Sequence, residues 1–158
     1  MSHCCLERQQ YGWPMSVLYV HLSPEGTPPS LEHSPFCAVI VTEADASEDW
    51  RERITEWLVQ SGCLYAVTWG RDCEKWHDSV DAANLREFDY GDIPDDRFVM
   101  TTWHENEPLE EALWFAGQCA FHPTATLMNT IIVHVSAEPR AAAMLRSFRE
   151  SQELPDDD

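Results

Sequence analysis

Glycine is scarce in this chain, with six among 158 residues, and the glycine-rich motifs of nucleotide-binding loops are missing. No G-x-x-x-x-G-K-[ST] segment occurs, which argues against a P-loop nucleotide site. No G-x-G-x-x-G follows an apolar segment, which argues against a standard dinucleotide site. A G-x-S-x-G segment is missing too, so the usual α/β-hydrolase nucleophile elbow is excluded. We therefore expect no nucleotide cofactor.

Basic residues are also few: ten Lys and Arg stand against 28 Asp and Glu, for a net charge of -18. Such a charge repels nucleic acid and anionic membrane surfaces, and it attracts a basic partner. No apolar run approaches the ~20 residues of a membrane span, and the first residues lack the basic and apolar regions of a signal peptide. These features predict a cytoplasmic protein of the acidic type common in bacteria, with no nucleic-acid or membrane partner.

The six cysteines include no C-x-x-C pair, so the spacing of a zinc ribbon is missing. Without an export signal, Cys37, Cys63 and Cys119 are interpreted as reduced, buried side chains. His77 and Asp81 lie four residues apart on a predicted helix, a spacing that suits a divalent cation. An ordinary surface pair is the simpler interpretation, and we predict no metal centre.

Apolar segments alternate with amphipathic ones along the chain. The predicted strands cover 17–22, 36–42, 63–69, 98–103 and 130–135, and helices are predicted at 48–61, 72–85, from 108 and from 139. This alternation predicts an α/β fold: a single three-layer Rossmann-like domain over 1–158, with about five mostly parallel strands and helices on both faces. The ends, 1–12 and 151–158, are expected to be mobile. The Pro- and Ser-rich segment 23–35 contains no helix, so the first two strands either pair antiparallel or are joined across a sheet edge.

Polar side chains follow several of these strands, where open parallel sheets bind ligands. Glu43 comes after the second strand, and Trp69 and Trp103 close the third and fourth. We predict that these three residues bind a small molecule, with the two indoles as walls. Packing in the core or at its rim is the competing interpretation for both tryptophans.

The same strand ends supply candidate catalytic residues. Cys73 stands at a predicted helix N-terminus, which lowers a thiol pKa, and His104 is its candidate base. Asp72 and Glu105 are the candidate acid–base or orienting carboxylates. Against this, Cys73 lies on the apolar stripe of its helix, where a thiol is usually inert. His134 alternates within an apolar strand and is interpreted as a core histidine.

The loop 90–96 carries an aromatic side chain among carboxylates. Tyr90, Asp92, Asp95 and Asp96 are predicted to form an interface, since an aromatic anchors an interface core and charge speeds encounter. The leading hypothesis is therefore an acidic interaction module, immunity- or inhibitor-like, that docks on a basic partner. The alternative is a small-molecule-binding or hydrolase-like enzyme with its site at the strand ends. A homodimer and nucleic-acid mimicry are kept as further options, the latter last because the carboxylates are scattered.

Overall fold

The computed structural model describes residues 16–32 and 34–153, and five strands form one sheet within them. The strands are β1 (Ser16–Leu22), β2 (Phe36–Thr42), β3 (Cys63–Gly70), β4 (Met100–His104) and β5 (Asn129–Val135). Their spatial order is β1-β5-β2-β3-β4, and every neighbouring pair is parallel. The predicted α/β fold with a parallel sheet is confirmed. Of the ends predicted to be mobile, 1–12 and 154–158 lie outside the described residues, and 151–153 close the last helix.

Four helices cover the two faces of the sheet. They are α1 (Glu48–Ser61), α2 (Cys73–Glu87), α3 (Leu109–Gln118) and α4 (Ala141–Gln152). On one face α1 and α2 meet through Trp50 and Trp76, whose rings form an edge-to-face pair 6.1 Å apart. On the other face α3 and α4 bury Leu113 and Phe148 against the sheet. The two apolar clusters explain why β2, which lies between them, is buried along its whole length.

The bounds of α1 follow from local sequence signals. The Ser47 hydroxyl accepts a hydrogen bond from the Trp50 N–H at 3.2 Å, which caps the first turn. Gly62 ends the helix in the left-handed region at φ 109°, and its N–H reaches the carbonyls of Leu58 and Val59. Ser47 and Gly62 thus directly flank the helix predicted at 48–61, and the structure has the same bounds.

The segment between β1 and β2 crosses the sheet without a helix. Of the two alternatives predicted for these strands, antiparallel pairing is wrong, because β1 and β2 both run parallel to β5 and lie on opposite sides of it. Two indole N–H groups from α1 fix the segment: Trp50 donates to the Gly26 carbonyl at 2.7 Å and Trp57 to the Pro29 carbonyl at 2.8 Å. These bonds replace the packing that a crossover helix would supply.

The strand order defines a topological switch point. From the end of β2 the chain continues into α1 on one face, and from the adjacent end of β5 it continues into α4 on the other. A crevice for ligands forms outside the carboxyl ends of two such strands in open α/β sheets. The fold therefore singles out the ends of β2 and β5, with β1 alongside.

Cys37, Cys63 and Cys73 are buried and form no disulfide. Cys119 is only partly buried and is disulfide-bonded, so the prediction of a reduced, buried Cys119 is wrong. Among the described residues no helix combines the length and the apolar character that crossing a membrane requires.

Gly70 closes β3 at φ 103°, and a Cβ at this position would stand 2.3 Å from the Thr42 carbonyl oxygen. We expect Gly70→Ala to lower the free energy of unfolding by roughly 1–3 kcal/mol. An alanine is strained at this positive φ, and the end of β2 must move away from its Cβ. Gly91→Ala is the control, since its Cβ would meet nothing closer than 3.3 Å. Urea unfolding of both variants tests this. Equal losses in the two would contradict the steric argument.

Candidate functional site

The predicted catalytic residues are not arranged as nucleophile and base. Cys73 is buried, and burial raises its thiol pKa, with the Glu105 carboxylate raising it further. The His104 ring has other partners: Nδ1 lies 3.1 Å from the Glu107 carboxylate and Nε2 lies 3.0 Å from the Thr102 hydroxyl. The imidazole therefore packs towards α3, where it contacts the Phe115 ring, while Cys73 begins α2 on the opposite face.

The other predicted strand-end residues also diverge. Asp72 is exposed, has φ 57°, and makes no capping hydrogen bond to α2. The Trp69 indole donates to the Glu107 carbonyl at 2.7 Å on the α3 side. Trp103 is half exposed and lies against His77 of α2, with ring centroids 4.6 Å apart. The two tryptophans lie on opposite faces of the sheet and do not form the walls of one site.

Among the predicted ligand-binding residues, Glu43 has a carboxylate that contacts two other ionisable side chains. Its N–H donates to the Val135 carbonyl at 2.8 Å, which ties the end of β2 to the end of β5. The His134 Nε2 lies 2.7 Å from the Glu43 Oε1, and the Arg140 guanidinium donates to the same oxygen. His134 is completely buried, so its imidazole depends on these partners for its polar contacts.

The second nitrogen of His134 contacts a tyrosine from β1. Its Nδ1 lies 2.7 Å from the Tyr19 hydroxyl. Because Nε2–H donates to the carboxylate of Glu43, Nδ1 is the acceptor and the phenol donates to it. The Tyr19 oxygen in turn accepts the backbone N–H of Arg140 at 2.9 Å. The four residues thus form a continuous chain of hydrogen bonds from a carboxylate to a phenol.

A second imidazole completes the group. His21 is the register partner of His134, their ring centroids are 6.1 Å apart, and its Nε2 lies 2.9 Å from the Ser136 carbonyl oxygen. We call the set the switch-point cluster: Tyr19, His21, Glu43, His134 and Arg140. Three adjacent strands and the residue before α4 supply its members.

The charges of the cluster are set by burial and by its hydrogen bonds. Burial works to raise the Glu43 pKa, but hydrogen bonds from His134 and Arg140 outweigh it, so the pKa is lowered. Burial lowers the pKa of His134, and the charges of Arg140 and His21 lower it further against the pull of Glu43. At neutral pH the cluster therefore holds an ionised carboxylate and a neutral imidazole, the form in which histidine accepts a proton.

Sequence reasoning missed most of this cluster, although a signal was present. Tyr19 and His21 lie on β1, and His134 on β5 is followed by Ser136 just after the strand; both pairs have the period of two that puts side chains on one face. The interpretation of His134 as a core histidine is right about burial. The missing information was that β1 and β5 are neighbours, since Tyr19 and His134 are 115 residues apart in the chain.

A group suited to a cation lies elsewhere, on α2. The ligand atoms of His77, Asp78 and Asp81 lie within 4.8 Å of one another. The His77 Nδ1 is 2.9 Å from the Asp78 carboxylate, and its Nε2 is 3.8 Å from that of Asp81. Asp81 also accepts a hydrogen bond from the Thr101 hydroxyl at 2.9 Å. The predicted helical pair of His77 and Asp81 therefore exists, and the carboxylates of Asp78 and Asp81 are exposed.

The predicted interface residues all lie at the surface. Tyr90 is 68% exposed, the largest exposed fraction among the exposed large apolar side chains of the described chain. Asp92, Asp95 and Asp96 are exposed beside it, the last two in a short 3-10 helix, Asp95–Arg97. This loop connects α2 to β4, far along the sheet order from β1 and β5.

Comparison with known proteins gives one family. A family model described as "Domain of unknown function (DUF7684)" matches residues 17–151, which span all five strands and nearly all of α4. No curated protein and no solved structure matches the chain.

The lowered His134 pKa predicts a pH dependence of stability. Below the ordinary histidine value of 6.5 the unfolded chain binds a proton at His134 that the folded protein resists, so stability is lost as the pH falls. We expect the free energy of unfolding to fall less steeply between about pH 7 and pH 5 in His134→Gln, by up to about 1.4 kcal/mol per pH unit. Urea unfolding across this range measures it.

His77→Gln controls for the loss of an imidazole at the surface of α2. If wild type and His134→Gln show the same pH dependence of unfolding, then His134 is not held neutral by the fold, and this description of the cluster is wrong.

Proposed function

The chain belongs to the DUF7684 family, a domain of unknown function, and from the geometry of its site we propose that it is a hydrolase-like enzyme for a small molecule. The site is the switch-point cluster, at the carboxyl edge of the sheet. One observation carries the proposal: the hydrogen-bonded series Tyr19–His134–Glu43, with 2.7 Å at both links.

This series has the geometry of an activated nucleophile. A weak nucleophile gains reactivity when a base lies within hydrogen-bond reach and a third group orients that base. Here the Tyr19 hydroxyl is the nucleophile, the neutral His134 imidazole is the base, and Glu43 orients it and stabilises its protonated form. The same division of roles operates in the Ser-His-Asp triad, which occurs on unrelated folds.

The proton balance of the proposed step is simple. The Tyr19 hydroxyl transfers its proton to His134 Nδ1 as its oxygen bonds to an electrophilic carbon or phosphorus of the bound molecule. The leaving group departs with its electron pair and takes the proton from His134. Water, deprotonated by His134, then cleaves the tyrosyl intermediate and restores the phenol. The charge that develops on the Tyr19 oxygen faces the Arg140 N–H, at the positive end of α4.

The place of the cluster in the fold supports a ligand site rather than a purely structural network. It lies at the switch point, where α/β sheets bind ligands. Tyr19 is only partly buried, and the Glu43 and Arg140 side chains are 33% and 50% exposed. A network that served only the core would have no need of these solvent-exposed ends.

Docking on a basic partner, the leading hypothesis from the charge, is a second candidate function. It is favoured by exposed apolar side chains that lie among carboxylates near β4, at the opposite edge of the sheet from β1: Leu85, Tyr90, Phe98 and Trp103. A cytoplasmic location stays a prediction.

A phenyl sulfonyl fluoride tests the nucleophile without knowledge of the substrate, because it traps activated hydroxyl groups covalently. We expect Tyr19 to be modified faster than Tyr90, although Tyr90 is 68% exposed. His134→Gln should slow the modification of Tyr19 at least about tenfold, a part of the ~10²–10⁴-fold that general bases contribute. Peptide mass spectrometry measures both rates in the same sample.

Tyr90 serves as the internal control, and Glu43→Gln should give a smaller loss than His134→Gln because it removes only the orienting charge. The proposal fails if Tyr90 reacts as fast as Tyr19, or if His134→Gln leaves the rate at Tyr19 unchanged while circular dichroism shows an intact fold.

A further inference from the structure

Strand β4 forms one edge of the sheet. It pairs with β3 alone, and no strand of the described chain pairs with its outer side. A free strand edge presents unpaired backbone N–H and C=O groups, which can pair with a strand from another chain. The outer side of β4 is thus open to a further strand.

Exposed apolar side chains concentrate beside this edge. The described chain exposes five large apolar side chains, and all but Leu18 lie on α2, on the loop after it, or on β4 and the residues before it. These four are Leu85, Tyr90, Phe98 and Trp103, with exposed fractions between 42% and 68%. Two of them, Leu85 and Phe98, line the same groove, and exposed apolar side chains grouped in a groove are a feature of binding sites.

A groove of about 360 Å³ runs between α2 and β4. We call it the edge groove, and its lining includes Asp81, Asn84, Leu85, Ile93, Phe98 and Thr101. The buried Asn84 side chain fixes its floor, accepting from the Val99 N–H at 2.9 Å and donating to the Arg97 carbonyl at 3.1 Å. The groove is therefore built into the fold and is lined along one side by the edge strand β4.

The surroundings of the edge groove are strongly acidic. Between residues 78 and 103 the chain has seven Asp and Glu and two Arg. One of these arginines, Arg97, lies over the Phe88 ring at 5.2 Å and pairs with Glu87 at 3.9 Å. Asp92, Asp95 and Asp96 are exposed on the connecting loop, so the free charge at the rim is negative.

We propose that the outer side of β4, with the edge groove, docks an extended basic segment of a partner protein as an added strand. Backbone hydrogen bonds to β4 supply affinity, and alternate apolar side chains enter the groove, as in other cases of strand addition. Lysine or arginine side chains at the remaining alternate positions of the segment pair with the rim carboxylates, so the segment must carry positive charge. A second copy of this chain does not fit, because its own β4 edge would bring the same carboxylates face to face.

The test uses a labelled ten-residue peptide of alternating Lys and Val, with fluorescence anisotropy on the full-length protein at physiological salt. The triple variant Asp92→Asn, Asp95→Asn, Asp96→Asn should weaken binding about tenfold, because the rim charge is lost. The matched control, Glu52→Gln, Glu56→Gln, Glu150→Gln, changes the net charge by the same amount on α1 and α4, where these side chains are exposed. It should weaken binding less than about twofold, since distant charges are screened.

A second peptide, N-methylated at alternate residues, separates strand pairing from simple charge attraction. It keeps every lysine but cannot donate along one edge, and it should bind at least about tenfold more weakly than the unmodified peptide. Equal binding of the two peptides, or equal losses in the two triple variants, would overturn the proposal. So would a dimer in sedimentation experiments that Phe98→Asp dissociates, because a second copy would then be the occupant. Binding that persists in Tyr19→Phe shows that this surface acts independently of the switch-point cluster.

Discussion

Strand β5 is the last strand of the chain, yet it lies inside the sheet and pairs with β1 on one side and β2 on the other. Without β5 the first two strands would have no common neighbour, and the segment between them would join two separated pieces. Because β5 leads into α4, its insertion also covers the second face of the sheet. The three-layer architecture and the position of the candidate site both depend on this insertion.

The same strand carries His134, whose complete burial imposes a constraint on its neighbours. A buried imidazole must have both nitrogens satisfied, and the two partners come from the strands on either side, Tyr19 from β1 and Glu43 after β2. Arg140 then balances the carboxylate and donates its backbone N–H to the phenol. Satisfying one buried side chain in this way brings a carboxylate, an imidazole and a hydroxyl into the order that nucleophilic catalysis requires.

The two proposed activities use opposite ends of the sheet. The switch-point cluster lies on β1, β5 and β2, and the edge groove lies beyond β3 at the free side of β4. The switch-point cluster depends on short hydrogen bonds among buried and partly buried groups. The edge groove depends on exposed apolar side chains surrounded by carboxylates. The acidic character of the chain bears mainly on the second, because exposed charge acts on partners and solubility rather than on the fold.

By itself the sequence determined the elements and their type. The apolar run of β2 indicated a strand covered on both sides, and Ser47 and Gly62 marked the ends of α1, because these signals are local and act within a few residues. It also placed Glu43 directly after β2 and Tyr90 with its neighbouring aspartates in a loop, although their predicted roles in binding stay predictions. The sequence was misleading where the outcome depends on distant residues: it left open an antiparallel pairing of β1 with β2, paired Cys73 with His104, and made His134 an ordinary core residue. Only the tertiary structure decided these points. Strand order brings together residues more than a hundred positions apart in the chain. The pairing of each strand with its neighbours then sets the face of the sheet on which each side chain lies.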